Sequence, residues 1–220
     1  MEAGLWVSAD SAGRLSFSHA RRSRRVAMAN AHPPPLNPAE CREPTVEDLI
    51  KLCRALNNAG ARYLVIGGFA IRAAGYIRDT MGVDLLVETG PENERRVIRG
   101  LMSLPSQAAM EIKAGEIDQF GVVRVADEIL VDLMKSGCGI TYADAIPDAV
   151  WKEMDGVRIP FASPQILWRM KQTRRERDIP DRLFLQQLLQ EQGASSKLPE
   201  TESKKPGEFR DWLRRILGNQ

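Results

Sequence analysis

After Thr45 the apolar residues fall at helical spacing, with Val46, Leu49, Ile50, Cys53 and Leu56 on one face. Thr45 and Asp48 form a capping box at the start, and Gly60 supplies a stop, so this stretch predicts a helix. The pattern then changes. "RYLVIGG" is an unbroken apolar run ending in two glycines and reads as a buried strand, with "FAIRAAGY" as a short helix leaving the turn. "VDLLVE" reads as a second strand, and Pro91 opens a helix with Val97, Ile98, Leu101 and Met102 on its apolar side. "GVVRVADEILVDLM" predicts two strands around a turn at Asp127 and Glu128.

Thr141 with Asp144 repeats the capping box, and "VRIPFAS" reads as a short extended piece. In "SPQILWRMKQT", Ser163 is the cap and Pro164 the first helical residue. A charged loop, "RRERDIPD", separates that helix from another at "RLFLQQLLQEQ". Strands and helices thus mix, with a mostly helical second half. The fold class expected is α/β (α+β), a small mixed sheet with helices.

The organisation expected is a leader over 1–44, a domain over 45–193, a polar linker over 194–207 and a short amphipathic helix over 208–220. In that last piece Phe209, Trp212, Leu213, Ile216 and Leu217 form one stripe, suited to docking on the chain's own domain or on a partner protein. Within the leader, "RLSFSHARRSRRV" is rich in Arg and Ser and has no acid, a superficial likeness to an organelle transit segment. The proline-rich "AHPPPLNPAE" follows, and the expectation for the whole leader is disorder, with Met28 as an alternative start.

Composition narrows the function classes. With 43% hydrophobic and 27% charged residues, the 220-residue chain is ordinary for a globular protein, and a net charge of +2 does not point to nucleic acid. Cys41, Cys53 and Cys138 lie far apart and make neither a zinc pattern nor a disulfide framework, so a reducing cytoplasm is expected. No apolar run approaches the roughly 18 residues of a membrane span.

The chemistry-bearing signals are two strand carboxylates and a glycine turn. By strand alternation Asp84 shares a face with Gly82, Leu86 and Glu88, and Asp132 with Leu130 and Met134. A buried carboxylate needs a partner, and two on neighbouring strands would suit magnesium, which takes oxygen ligands. The alternative is that each Asp is a solvated or locally hydrogen-bonded strand end. Gly67 and Gly68, between strand and helix, would let backbone N–H groups approach a phosphate, or form a tight turn with no ligand. Lys171, Arg174, Arg175 and Arg177 cluster near one helix end, as a phosphate grip or as a solvated face balanced by Glu176, Asp178 and Asp181. Trp151 and Trp168 read as core or edge packing.

Taken together, "YLVIGGFAIRAAGYIRDTMGVDLLVE" resembles the core of DNA polymerase beta-like nucleotidyltransferases, and is most similar to the small prokaryotic branch that includes AbiEii-type abortive-infection toxins. The resemblance covers roughly residues 60–192. It implies that Gly67 and Gly68 form the phosphate-binding turn and that Arg78 and Thr80 form an Arg-x-Thr element. It implies that Asp84 and Asp132 bind Mg2+ (or Mn2+), with Asp132 helping to activate the attacking hydroxyl. Lys171 would contact nucleotide phosphate, and Asp178 and Asp181 would line or brace the site.

The departure is Gly82, where the family pattern has aspartate. Asp79 precedes the strand, and Glu88 lies about 13 Å along it from Asp84, so neither replaces that acid well. Two readings follow. One is a cytoplasmic nucleotidyltransferase using Mg2+ to transfer a nucleotidyl group from a nucleoside triphosphate to a hydroxyl of tRNA, protein or a small molecule, with an antitoxin as partner. The other is a catalytically lapsed relative, a pseudoenzyme acting as a nucleotide-binding or regulatory module.

Overall fold

The computed structural model describes residues 5–9, 15–19 and 40–195, with side chains from 40 to 193. The chain runs β1 (Leu5–Ala9), β2 (Leu15–His19), α1 (Val46–Asn58), β3 (Tyr63–Ile66), α2 (Gly67–Ala73), β4 (Gly82–Val87) and α3 (Pro91–Leu101). Then come α4 (Glu116–Phe120), β5 (Val122–Ala126), β6 (Leu130–Met134), β7 (Ser136–Gly137), β8 (Ile140–Thr141) and α5 (Tyr142–Ala145). The last elements are β9 (Val150–Met154), β10 (Val157–Phe161), α6 (Pro164–Met170) and α7 (Ile179–Ser195). This is the mixed α+β class that the patterning predicts. α7 runs to Ser195, two residues into the linker expected over 194–207; the rest of that linker and the helix expected over 208–220 lie outside the described residues. Within the leader expected to be disordered, β1 and β2 pair as an antiparallel hairpin.

Six strands form one mixed sheet in the order β5-β6-β4-β3-β10-β9. β4 runs parallel to β6 and β3 parallel to β10, and the other neighbours are antiparallel. The unbroken run "YLVI" is β3, a central strand with all four residues buried, as continuous hydrophobicity dictates for a strand covered on both faces. In β5, β6 and the first four residues of β4 the burial alternates. Val83, Leu85, Val123, Val125, Val131 and Leu133 lie in a core shared with Leu49, Leu52 and Leu56 of α1 and Val97 and Leu101 of α3. The alternate positions, among them Asp84, Arg124 and Asp132, are only partly covered. One half of the sheet therefore keeps a polar, accessible face.

The caps hold the helices where the sequence places them. Thr45 and Asp48, and Thr141 and Asp144, make complete capping boxes, and Ser163 accepts from the Ile166 N–H. Gly60 takes φ +68° just after α1, the left-handed conformation of a helix stop. α4, β7, β8 and β9 answer to no element expected from the pattern, and α7 starts earlier than expected. β9 joins the sheet edge although its first four residues are exposed, so its pattern carries no inward face to read. Trp151 there is 47% exposed, with the Arg158 guanidinium 4.4 Å from its ring centre. α7 begins at Ile179, before the charged loop has ended, because Pro180 fits a first helical turn.

α1 and α3 cross at Gly100. A Cβ there would lie 2.7 Å from Leu56 Cδ2 and 2.9 Å from Leu56 Cα. Alanine in place of a helical glycine ordinarily stabilises by about 1 kcal/mol. Gly100→Ala is expected to do the reverse, costing about 1–3 kcal/mol through overpacking, as read from urea unfolding.

Candidate functional site

The register of the sheet brings the two strand carboxylates together. Asp84 is the direct partner of Asp132 across the parallel β4–β6 ladder. Direct partners on adjacent strands point to one face, and the strands are about 4.8 Å apart.

The glycine turn closes over Asp84. β3 runs into α2 without a connecting loop, and Gly67 opens the helix at φ +59°. A Cβ at Gly67 would lie 1.9 Å from Asp84 Oδ2, and one at Gly68 would lie 2.4 Å from Thr80 Oγ1. Both glycines are required by close approach, and Gly67 by its left-handed backbone as well. Ile66 supplies no side-chain cap to α2; the Gly68 N–H donates to the Asp84 carboxylate instead. Burial, and next the charge of Asp132, push Asp84 up to about 6, against the opposing pull of Lys171, the Gly68 N–H and Arg78. Thr80 is buried and donates to the Gly82 carbonyl at 2.9 Å, fixing the entry to β4.

Asp132 is held by a residue the sequence reading did not single out. Arg124 of β5 is its antiparallel partner and donates Nε to Oδ1 and Nη2 to Oδ2, each at 2.8 Å. These hydrogen bonds, and beyond them the charges of Asp132 and Asp84, raise the Arg124 guanidinium. The expected two-residue turn at Asp127 and Glu128 would set Val123 opposite Asp132; the connection takes three residues, closing Ala126 on Leu130, and that extra residue is what brings Arg124 to Asp132.

A second charged group closes the other wall. α6 ends at Met170, and Lys171, just past it, lies 2.8 Å from Asp178 Oδ1. Its ammonium is also 2.9 Å from Asp181 Oδ2, though without hydrogen-bond alignment. Arg78 reaches the fully buried Asp181 at 3.3 Å. Burial would raise Asp178, but hydrogen bonds from Lys171 and Thr173 outweigh it and hold the carboxyl below its ordinary value. Lys171 is thus a brace within the chain, and Asp178 and Asp181 are its anchors.

These groups surround one cavity of about 620 Å³. Arg78, Arg124, Lys171, Arg175 and Arg177 line it together with Asp79, Asp84, Asp132 and Asp178. Arg175 and Arg177 are exposed, and Arg174 does not line it. Glu88 points elsewhere, paired with Arg62 at 2.8 Å. All the residues expected at the site from the sequence, Gly67, Gly68, Arg78, Thr80, Asp84, Asp132, Lys171 and Asp178, line this cavity, and Asp181 lies buried behind it.

The donor set does not fit a two-metal clamp. Among the described residues no three His, Cys, Asp or Glu side chains are grouped to hold a metal. Both Asp132 oxygens are taken by Arg124. Position 82 contributes no oxygen, and the space a Cβ would need there is bounded by the Leu130 carbonyl at 3.0 Å. No helix of the described residues is long and apolar enough to cross a membrane.

No family model and no curated protein matches the chain. Among solved structures it is similar to an antigenic nucleotidyltransferase-like protein from Paracoccidioides brasiliensis, at 16% identity over 64% of this chain and 74% of that one, with a TM-score of 0.41. It is also similar to a candidate nucleotidyltransferase from Thermotoga maritima, at 14% identity over 76% of this chain and 91% of that one, with a TM-score of 0.40. Neither likeness carries the functional reading, which rests on the chain's own residues.

The raised Asp84 has a definite consequence for stability. A carboxyl whose folded value exceeds its unfolded value near 4 binds its proton more tightly when folded. Its contribution is therefore lost as pH rises from about 4 through about 6. Asp84→Asn keeps an acceptor for Gly68 and removes the charge. It is expected to match the native chain at pH 4 and to exceed it at pH 7.5 by on the order of 1–3 kcal/mol, measured by chemical unfolding at both pH values.

Proposed function

We propose that the chain is a nucleotidyltransferase-type protein that binds a nucleoside triphosphate in this cleft by its phosphates and has lost nucleotidyl transfer. The observation that carries the reading is the convergence on one cavity of the Gly67–Gly68 turn with Arg78, Arg175 and Arg177. Guanidinium groups grip phosphate oxygens by paired N–H donors. A cavity of about 620 Å³ falls within the range of small-molecule sites.

Loss of transfer is supported by the site's own chemistry. In-line displacement with two metals needs ligands shared between ions about 4 Å apart. Gly82 provides none, and the Asp132 carboxylate that would act as base is bound by Arg124. A second reading, transfer to an acceptor hydroxyl of RNA, protein or a small molecule with Mg2+, is favoured by the abreast placement of Asp84 and Asp132.

One pair of measurements separates them. Calorimetric titration of the full chain with each nucleoside triphosphate is expected to detect binding, weakened about tenfold when Arg175→Ala and Arg177→Ala are combined. Incubation with labelled nucleoside triphosphate, Mg2+ or Mn2+, and total tRNA or cell protein is expected to give no label transfer. Transfer by the native chain that vanishes in Asp84→Ala would establish the second reading. No heat of binding with any nucleotide would overturn both.

A further inference from the structure

Asp84 and Asp132 stand abreast on parallel strands, both partly covered, and two carboxylates so close cannot both stay ionised without a nearby cation. In this chain the cation is a side chain. Arg124 sits opposite Asp132 on β5 and engages both of its oxygens at 2.8 Å in the side-on fork that gives the strongest guanidinium–carboxylate pairs. A divalent ion placed between the carboxylates would need those same Asp132 oxygens and further oxygen ligands. Gly82 has none to give, and Asp178 and Asp181 are engaged by Lys171.

The fork also leaves something over. Arg124 uses Nε and Nη2 for Asp132, and its Nη1 makes no hydrogen bond among the described residues while the side chain lines the cavity. A guanidinium so held presents further N–H donors in a fixed direction.

We infer that Arg124 is the resident cation of the carboxylate pair, so that the cleft receives its phosphate-bearing ligand with no divalent metal and admits a metal only when Arg124 is removed. The part concerning the ligand rests on the nucleotide-binding reading above; the part concerning the metal does not.

The test uses the full chain in two arms. In the first, Mn2+ is titrated without nucleotide and free ion is followed by its paramagnetic resonance signal. The native chain is expected to leave Mn2+ free, and Arg124→Met to bind it at least about tenfold more tightly than the native chain does. Arg124→Lys, which keeps the charge but not the fork, is expected to fall between them. Mn2+ binding by the native chain, unchanged in these variants, would overturn the inference. If Arg124→Met does not fold, the native chain and Arg124→Lys still decide it. In the second arm, ATP is titrated in EDTA and in excess Mg2+. Equal or tighter binding in EDTA supports metal-free capture, and binding only with Mg2+ overturns it while leaving the nucleotide-binding reading intact. Binding under neither condition overturns that reading and the ligand part with it, and the Mn2+ arm still decides the place of Arg124.

Discussion

Two carboxylates held side by side on parallel strands set the requirement that the rest of the cleft meets. Left alone, Asp84 and Asp132 would repel each other and lose hydration at the sheet surface. Each is answered by a different element. The first helical turn of α2 lowers the Gly68 N–H onto Asp84, which is feasible only because Gly67 has no Cβ to strike the carboxylate. The β5 strand brings Arg124 onto Asp132. The β3–α2 junction, the β5–β6 hairpin and the β4–β6 register are thus parts of one electrostatic arrangement.

The same logic extends to the opposite wall. Asp181 is fully buried and Asp178 nearly so, and both face Lys171, with Arg78 reaching across from the segment before β4. Breaking a buried pair leaves an uncompensated charge, so this network ties α6 and α7 to the segment before β4 more firmly than surface ion pairs would. It also alters the expected part played by Lys171. The resemblance to polymerase beta-like nucleotidyltransferases casts it as a phosphate ligand, whereas its ammonium is already shared between two aspartates. That leaves the exposed Arg175 and Arg177, at the rim, as the cations with fewest internal commitments.

Much of the frame was legible from patterning because local physics dictated it. The run "YLVI" had to be a strand covered on both faces, and the Thr45, Thr141 and Ser163 caps each fixed a helix start through a side-chain oxygen. The pairing of Asp84 with Asp132 was also foreseeable, since both interrupt apolar strands at matching phase. Arg124 was not, because a two-residue turn at Asp127–Glu128 sets Val123 opposite Asp132, and only the three-residue connection that closes Ala126 on Leu130 moves Arg124 there. β9 was not legible, because an exposed edge strand buries too little to leave a period. The Lys171–Asp178–Asp181 contacts depend on how α6 meets α7, which no local pattern encodes. Gly82 announced the loss of an oxygen ligand, and the structure adds the reason it resists easy restoration, the Leu130 carbonyl at 3.0 Å from where a Cβ would sit.

The central claim is that this cleft carries its positive charge in its own side chains. Its most direct test is a crystal structure of the full chain grown with a nucleoside triphosphate and excess Mg2+. The account predicts Arg124 still forked onto Asp132, phosphate oxygens on the arginine side chains, and no ion between the two aspartates. A Mg2+ ion bridging Asp84 and Asp132, with Arg124 turned away into solvent, would contradict it.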